Sequence, residues 1–216
     1  MLSEDEATAR TAYDRLAKPY AEAFPDLWPE AAEDRDLLDD FASRVAGNGS
    51  VVDAGCGTGR VAEHLRCRGV DVIGVDLSVG MLAEARRLHP EVPVVLGALG
   101  RLPVADAAAA GVLAWYSVIH TAPADLPRVV AELVRVVALG APVLVAFQCG
   151  DGERVERTEA FGRQVRRTNY RHRVDLVAEL LERHGVAVTR SVVREPWAEH
   201  ETTPQGFVTG VRRAAG

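Results

Sequence analysis

A glycine-rich segment, VVDAGCGTGR at residues 51–60, constrains the fold of this chain more than any other feature. Two β-branched residues lead into an acid and a small residue, and glycines then alternate until the helical pattern of Val61, Ala62 and Leu65 begins. This order predicts a strand, a tight turn and a helix, because glycine tolerates the positive φ that such a turn requires. Since the first amides of the helix point toward the turn, we expect a nucleotide-like ligand there.

Asp53 narrows the choice of nucleotide, because it lies two residues before the first glycine, Gly55. In a dinucleotide-binding turn the glycines face a pyrophosphate, and a carboxylate at the end of the strand would repel that group. A ligand that carries an ammonium and a sulfonium would be attracted instead. An NAD-dependent oxidoreductase is therefore disfavoured.

The order hydrophobic, hydrophobic, Asp, x, Gly, x, Gly, x, Gly at residues 51–59 resembles the first motif of the class I S-adenosylmethionine-dependent methyltransferases. The chain matches that motif at every fixed position. A second predicted strand ends at Asp76, about 20 residues after the first glycine, where a ribose-binding carboxylate should lie. Ser78 is then suited to cap the next helix. The resemblance implies S-adenosylmethionine as the cofactor, and Asp76 as the ligand of both ribose hydroxyls.

The resemblance also implies a set of donor-binding residues. They are Tyr20, Asp53, Gly55, Cys56, Gly57, Gly59, Asp76, Leu77, Met81, Ala98, Leu99 and Trp115. Residues 13–20 match a Tyr-Asp-x-x-Ala-x-x-Tyr segment that often folds over the cofactor in this family, which favours Tyr20 as a cap and leaves Tyr13 open between a cap and ordinary packing. The family usually has an Asp at the position of Ala98 to accept from the adenine amino group, so the way adenine is held here stays open.

Candidate catalytic residues follow the fourth predicted strand, whose carboxyl end should point at the ligand crevice. Tyr116, Ser117 and His120 lie there, and we take His120 and Tyr116 as the catalytic candidates. For His120, a structural histidine held by the backbone is left open beside a catalytic one. An unperturbed imidazole would be partly neutral at cytoplasmic pH and able to take a proton. No metal is expected, since His64 and Cys67 make only two ligands.

The alternation of strand and helix patterns predicts an α/β fold. We expect a doubly wound, Rossmann-like, seven-stranded and mostly parallel sheet with an antiparallel C-terminal hairpin and an N-terminal helical cap. One domain should cover residues 1–216, with the cap at 1–46, the cofactor-binding core at 47–147, and an acceptor segment with the hairpin at 148–216. The first helix is expected at 7–24, with a possible break near Pro19.

Residues 148–170 mix arginine with acidic residues. Their arginines are Arg154, Arg157, Arg163, Arg166 and Arg167. The pattern favours a solvated, self-paired segment over an arginine cluster that would hold an anionic acceptor.

Bulk properties exclude several other classes. The formal net charge of −6 argues against a broad nucleic-acid-binding face. The N-terminus lacks the pattern of a signal peptide, and Gly140 and Pro142 interrupt the longest apolar run, so we expect a cytoplasmic protein without a membrane anchor. The oligomeric state stays open.

Taken together, the residues predict methyl transfer from S-adenosylmethionine to an O or N nucleophile of a small-molecule acceptor by in-line displacement. The alternative is a protein that binds or senses S-adenosylmethionine without turnover, which the departure at Ala98 keeps open.

Overall fold

The computed structural model describes residues 2–27, 30–198 and 201–213. Its helices are α1 (Glu4–Ala23), α2 (Ala32–Val45), α3 (Arg60–Arg66), α4 (Val79–Leu88), α5 (Leu126–Val136) and α6 (Val174–Arg183), with a 3₁₀ turn at Val118–His120. Its strands are β1 (Val51–Ala54), β2 (Val72–Asp76), β3 (Val94–Leu96), β4 (Gly111–Trp115), β5 (Pro142–Gln148), β6 (Arg154–Ala160), β7 (Arg163–Tyr170), β8 (Val186–Arg194) and β9 (Gln205–Arg212).

Seven of these strands form one sheet in the order β3-β2-β1-β4-β5-β9-β8. Strands β1 to β5 are parallel, whereas β9 runs antiparallel to both β5 and β8. The predicted fold class, including the C-terminal hairpin, is confirmed. The strand order reverses between β1 and β4, and in an open sheet of this kind the crevice beyond the carboxyl ends of those two strands is the usual ligand site.

Helices cover both faces of the sheet, which explains why the central strands are continuously apolar. All four residues of β1 are buried. One face packs against α5 and α6, where Leu133 and Leu181 are fully buried. The opposite face packs against α2 and α3, where Phe41 and Leu65 join the core. Within residues 1–46, the residues that line the crevice belong to α1 and to the segment that follows it, whereas α2 packs against this face of the sheet.

Helix α1 starts earlier than the apolar pattern indicated and does not break at Pro19. Ser3 and Glu6 form a capping box, with the Ser3 hydroxyl accepting from the Glu6 amide at 3.1 Å and Glu6 Oε2 accepting from the Ser3 amide at 2.7 Å. Pro19 lies near the end of the helix, so its missing amide removes only one bond from the ladder. The predicted break is wrong.

Asp14 anchors α1 to the N-terminus of α4. Its Oδ1 accepts from the Ser78 hydroxyl at 2.6 Å and from the Gly80 amide at 3.0 Å, at the N-terminus of α4. A side chain at Gly80 would collide with the Asp14 carbonyl at 2.9 Å, so the two helices pack closely there. This contact sets the position of the tyrosines of α1 relative to the ends of the strands.

Strands β6 and β7 form a separate hairpin that the sequence pattern did not predict. Phe161 and Gly162 make its two-residue turn, both with positive φ, as the right-handed twist of a hairpin favours. Val165 packs on Leu16 of α1 in a small apolar cluster. The alternating charges of this segment are those of a hairpin with one exposed face.

Candidate functional site

One cavity of ≈ 400 Å³ opens at the carboxyl ends of the central strands. Ten residues predicted from the sequence line it: Tyr20, Gly55, Gly57, Asp76, Leu77, Met81, Leu99, Trp115, Tyr116 and His120. Tyr13 and Ser117 line it as well. The elements that build the cavity are the glycine turn, the ends of β2 and β4, helix α1 and the β6–β7 hairpin.

Each of the three motif glycines is required for a different structural reason, although all three have positive φ. A Cβ at Gly55 would lie 2.2 Å from Ser117 Cβ, so this glycine allows β1 and β4 to end side by side. A Cβ at Gly59 would contact Ala85 and His89 at 3.4 Å, and Gly59 packs on α4 outside the cavity. A Cβ at Gly57 would meet nothing within 4 Å and would project into open space. Gly57 is therefore the glycine whose backbone a ligand can approach.

Asp76 ends β2 at the wall of the cavity. Its Oδ2 accepts from the Gly57 amide and its Oδ1 from the Ser78 amide, both at 2.8 Å. These bonds fix the carboxylate against the glycine turn, and each oxygen keeps a lone pair for a ligand hydroxyl. Burial raises the pKa of Asp76 above its ordinary value, and the two amides oppose that shift.

Asp53 lies in a smaller recess of ≈ 40 Å³ behind the glycine turn, together with Cys56. The carboxyl is 1% exposed. Neither of its oxygens has a hydrogen-bond partner among the described residues. Burial first, and then the charge of Asp76, raises the pKa of Asp53 to about 7. A cation next to this carboxyl would lower that pKa and remove the cost of an unpaired buried charge.

A buried ion pair beside the recess was missed by the sequence analysis. Arg60 Nη2 lies 2.6 Å from Glu30 Oε1, which also accepts from Trp115 Nε1 at 3.0 Å. Arg60 Nη1 and Glu30 Oε2 are buried and have no partner in the described part of the chain. Both residues line the cavity. The only sequence signal is that Arg60 follows the last motif glycine, and nothing around Glu30 distinguishes it from a surface acid.

His120 is held between two partners. Its Nδ1 lies 2.7 Å from the Thr168 carbonyl oxygen, which only accepts, so Nδ1 carries the hydrogen. Nε2, 2.9 Å from the Tyr13 hydroxyl, therefore accepts a hydrogen bond from it. Burial lowers the pKa of His120 to about 4, and the expectation of an ordinary imidazole pKa is wrong because most of the ring is removed from water. Burial also raises the pKa of the Tyr13 phenol, so both groups are neutral at pH 7.

Tyr116 sits at the end of β4 with φ 57, in the left-handed region that residues other than glycine seldom occupy. Its hydroxyl is buried and has no partner within the described ranges. Burial raises the pKa of the phenol well above its ordinary value, so the group is a donor at neutral pH. Backbone strain and an unsatisfied polar group at the same position are features that concentrate at binding sites.

Arg167 on β7 also lines the cavity. Its Nε and Nη1 are buried without a partner among residues 2–27, 30–198 and 201–213. The solvated, self-paired prediction for this segment holds for Arg154 and Arg166, which pair with Glu156 at 2.5 and 3.6 Å. Arg167 differs because it points to the other face of the hairpin, toward the ligand space.

Ala98 is a predicted donor-binding residue that the structure places apart from the cavity. Ala98 does not line the cavity, and its carbonyl accepts from the Arg101 amide at 3.0 Å in a tight turn.

Among the described residues, no group of three or more His, Cys, Asp or Glu side chains is placed to hold a metal ion. In the same residues, no helix combines the length and the apolar character needed to cross a membrane.

The comparisons with known proteins agree with this geometry. The family described as "Methyltransferase domain" matches residues 51–140, the stretch that contains the glycine turn, Asp76 and β4. Residues 51–140 carry a methyltransferase domain of the class I S-adenosylmethionine-dependent type. The predicted family is therefore confirmed.

Curated relatives of this chain match parts of it. It is 33% identical over 163 residues to malonyl-[acyl-carrier protein] O-methyltransferase from Serratia marcescens, an alignment that covers 67% of this chain and 63% of the relative. It is 35% identical over 96 residues to demethylmenaquinone methyltransferase from Beutenbergia cavernae, covering 44% of this chain and 39% of the relative. The chain thus spans less than two thirds of the length of these relatives.

Solved structures share the fold of this chain over nearly its whole length. Magnesium protoporphyrin IX methyltransferase from Synechocystis PCC 6803, solved with bound S-adenosylmethionine, has a TM-score of 0.73 and 15% sequence identity, with 98% of each chain covered. A 1,6-didemethyltoxoflavin-N1-methyltransferase from Burkholderia thailandensis has a TM-score of 0.67 and 18% identity, covering 99% of this chain and 92% of that one. At these identities the likeness concerns the fold.

The residues present fit the donor that the family implies. Gly57 leaves open space above its backbone, and Asp76 presents a fixed carboxylate beside it. Asp53 is an orphaned buried acid that suits a cation. Arg60 and Glu30 each keep one unpaired polar atom, which suits the carboxylate and ammonium of an amino-acid group. No anionic pyrophosphate fits this set of three acids.

Proposed function

We propose that the protein transfers a methyl group from S-adenosylmethionine to an O or N nucleophile of a small molecule. The observation that carries the proposal is the pairing of Asp76 with the open backbone of Gly57 in a cavity that also holds Tyr13, Tyr116 and His120. The Serratia relative is named for O-methylation and the Burkholderia structure for N-methylation, so both classes of nucleophile are retained.

The donor half of the cavity is assigned from its charges. Asp76 accepts from the ribose hydroxyls, and Leu77, Met81 and Leu99 surround the adenine. Arg60 and Glu30 take the carboxylate and ammonium of the methionine end, with the carboxyl of Asp53 behind them. The backbone from Gly55 to Gly59, Cys56 included, shapes this end, and Tyr20 closes it from α1.

The acceptor half is assigned to Tyr13, Tyr116, His120 and the hairpin. When bound, S-adenosylmethionine supplies an activated methyl group whose in-line displacement needs no metal. The residues of the chain hold the acceptor in line and exclude water. The Tyr116 hydroxyl donates to the acceptor, whereas His120 orients the Tyr13 hydroxyl. His120 acts as a positioning residue, because its Nε2 lone pair already accepts from Tyr13.

The proposal is tested by incubating the protein with S-adenosylmethionine labelled in the methyl group and the low-molecular-weight fraction of a bacterial extract. We expect the label to move into that fraction, and NAD not to compete with the donor. Donor binding without any transfer would favour the sensing protein instead. A small-molecule acceptor, the absence of nucleic acid as a substrate and a cytoplasmic location remain predictions.

A further inference from the structure

Arg167 is a partly exposed cation whose Nε and Nη1 atoms are buried, and no counter-charge pairs with it in the described part of the chain. No carboxylate there lies within ion-pair distance of it, and its Nε and Nη1 make no hydrogen bond. Such a group is expensive, since a guanidinium taken from water normally regains its bonds from a carboxylate or another acceptor. A structural arginine would have found such a partner within the fold. The position inside the cavity indicates that the partner is a ligand.

The neighbours of Arg167 do not supply negative charge. The carbonyl of the next residue, Thr168, accepts from His120, which places the guanidinium on the same wall of the cavity as Tyr13 and His120. Burial has the larger effect on both side chains, raising the pKa of Tyr13 and lowering that of His120, and the positive charge of Arg167 opposes the first shift and adds to the second. Both are neutral at pH 7, and Glu6, the carboxylate of α1 that lines the cavity, lies 3.5 Å from Arg128. Arg167 therefore adds an unpaired positive charge here that favours an anion.

The same half of the cavity lacks a free base. His120 Nε2 accepts a hydrogen bond from the Tyr13 hydroxyl. His120 Nδ1 donates to the Thr168 carbonyl, so neither ring nitrogen has a free lone pair. The buried side-chain atoms nearby that remain unpaired belong to the Tyr116 hydroxyl, the Arg167 guanidinium and the amide oxygen of Asn169, and none of these groups is a base at neutral pH. A neutral alcohol or a protonated amine would have to lose a proton to become a nucleophile, and this arrangement offers no group to take it.

From these observations we infer that the methyl acceptor is a carboxylate, held by Arg167 and methylated on oxygen to give a methyl ester. The inference rests on the proposed function and names its substrate class. One carboxylate oxygen forms a bond to the methyl carbon, the bond from that carbon to sulfur breaks, and its electron pair stays on sulfur. The carboxylate loses its negative charge and the sulfonium its positive charge, so no proton moves and no base is required.

The test uses alkali, because methyl esters are hydrolysed by it whereas ethers and N-methyl groups are not. The full chain is incubated with tritium-labelled S-adenosylmethionine and the low-molecular-weight fraction of a bacterial extract, and the products are treated with sodium hydroxide. The inference predicts that the transferred label is released as volatile methanol. Label that resists alkali would overturn the carboxylate while leaving the proposed methyl transfer intact. Absence of any transfer would contradict the proposed function, and the inference with it.

A pair of variants on one strand isolates the role of Arg167. Arg167→Met should lower the rate of ester formation about 10- to 100-fold, the scale of lost charge-assisted hydrogen bonds. Arg166→Met is the matched control, since Arg166 is the preceding residue with a side chain that is 71% exposed, and it should change the rate less than about twofold. Arg167→Lys should restore part of the rate, because it keeps the charge without the paired donors.

Calorimetry of S-adenosylmethionine binding checks that the variants fold. Unchanged donor affinity in Arg167→Met, together with the loss of ester formation, places the effect on the acceptor. Equal rates for Arg167→Met and Arg166→Met would overturn the assignment of Arg167. Loss of donor affinity in Arg167→Met but not in Arg166→Met would also contradict it, because the guanidinium would then serve the donor.

Discussion

The Tyr13 hydroxyl donates a hydrogen bond to His120 Nε2 over 2.9 Å, across 107 positions of the chain. Their rings pack edge to face with centroids 5.2 Å apart. This contact ties helix α1 to the residue that follows β4. The N-terminal tyrosine and the histidine are therefore one unit, and their roles in the acceptor half are tested together.

We expect His120→Ala to lower kcat by less than about tenfold, because a residue that only orients another side chain takes no part in proton transfer. A base would cost about 10² to 10⁴. The pH profile gives a second readout. With a pKa of about 4, His120 stays neutral from pH 5.5 to 8, so kcat should show no step near pH 6.5 that disappears in the variant. Tyr13→Phe should reproduce the loss in His120→Ala, and a much larger effect of either variant alone would contradict the account.

Gly57→Ala tests the approach of the donor to the glycine turn. Gly57 has φ 55 and no atom within 4 Å of an added Cβ, and Gly140, remote from the cavity, has φ 81 and equally open surroundings. Alanine in either place should cost about 1 kcal/mol in the free energy of unfolding through backbone strain. Only Gly57→Ala should weaken S-adenosylmethionine binding, by about tenfold or more. Equal affinities of the two variants in calorimetry would show that the donor does not lie against Gly57.

Asp53 predicts a pH dependence of donor binding. Its pKa is about 7 in the protein and 3.8 as an ordinary Asp, so the folded protein binds more protons between those values and its stability falls as the pH rises through them. A cationic ligand favours the ionised carboxyl. Donor affinity should therefore rise between pH 5.5 and 7, by up to about tenfold per unit, and then level off.

The variant Asp53→Asn provides the control for this dependence. Because Asn does not titrate, donor affinity should be flat over the same range, and the melting temperature at pH 8 should be higher than that of the unmodified protein. A pH dependence that persists in Asp53→Asn would assign the titration to another group, and Asp76 would be examined next.

The parts of the fold that the sequence predicted are those with a strong local pattern. The run of Val51 and Val52 before the glycines had no alternative to a buried strand, and the acid at Asp76 followed at the spacing of the next strand. The positive φ values of the turn were predictable because only glycine adopts them readily. For the same reason the residues that we propose for the donor half of the cavity could largely be predicted from the sequence.

What the sequence did not predict depends on contacts between distant residues. Strand β6 and the first half of β7 are mostly exposed, so their alternating charges were those of an exposed segment. The inward position of Arg167 depends on the register of the hairpin. Glu30 became a site residue only through Arg60 and Trp115, which lie 30 and 85 positions away. The pKa of His120 follows from its enclosure by α1 and β7, which no local pattern contains.

The central claim is that the cavity binds S-adenosylmethionine through Asp76. Calorimetric titration of two variants, one at the end of β2 and one just before its start, tests this claim most directly. Asp76→Ala removes the carboxylate, and Asp71→Ala removes an exposed one that precedes the same strand. We predict that Asp76→Ala weakens binding by about 2 to 3 kcal/mol, the scale of lost hydrogen bonds to a charged group, and that Asp71→Ala leaves the affinity unchanged. Equal, undiminished affinities in two folded variants would contradict the claim.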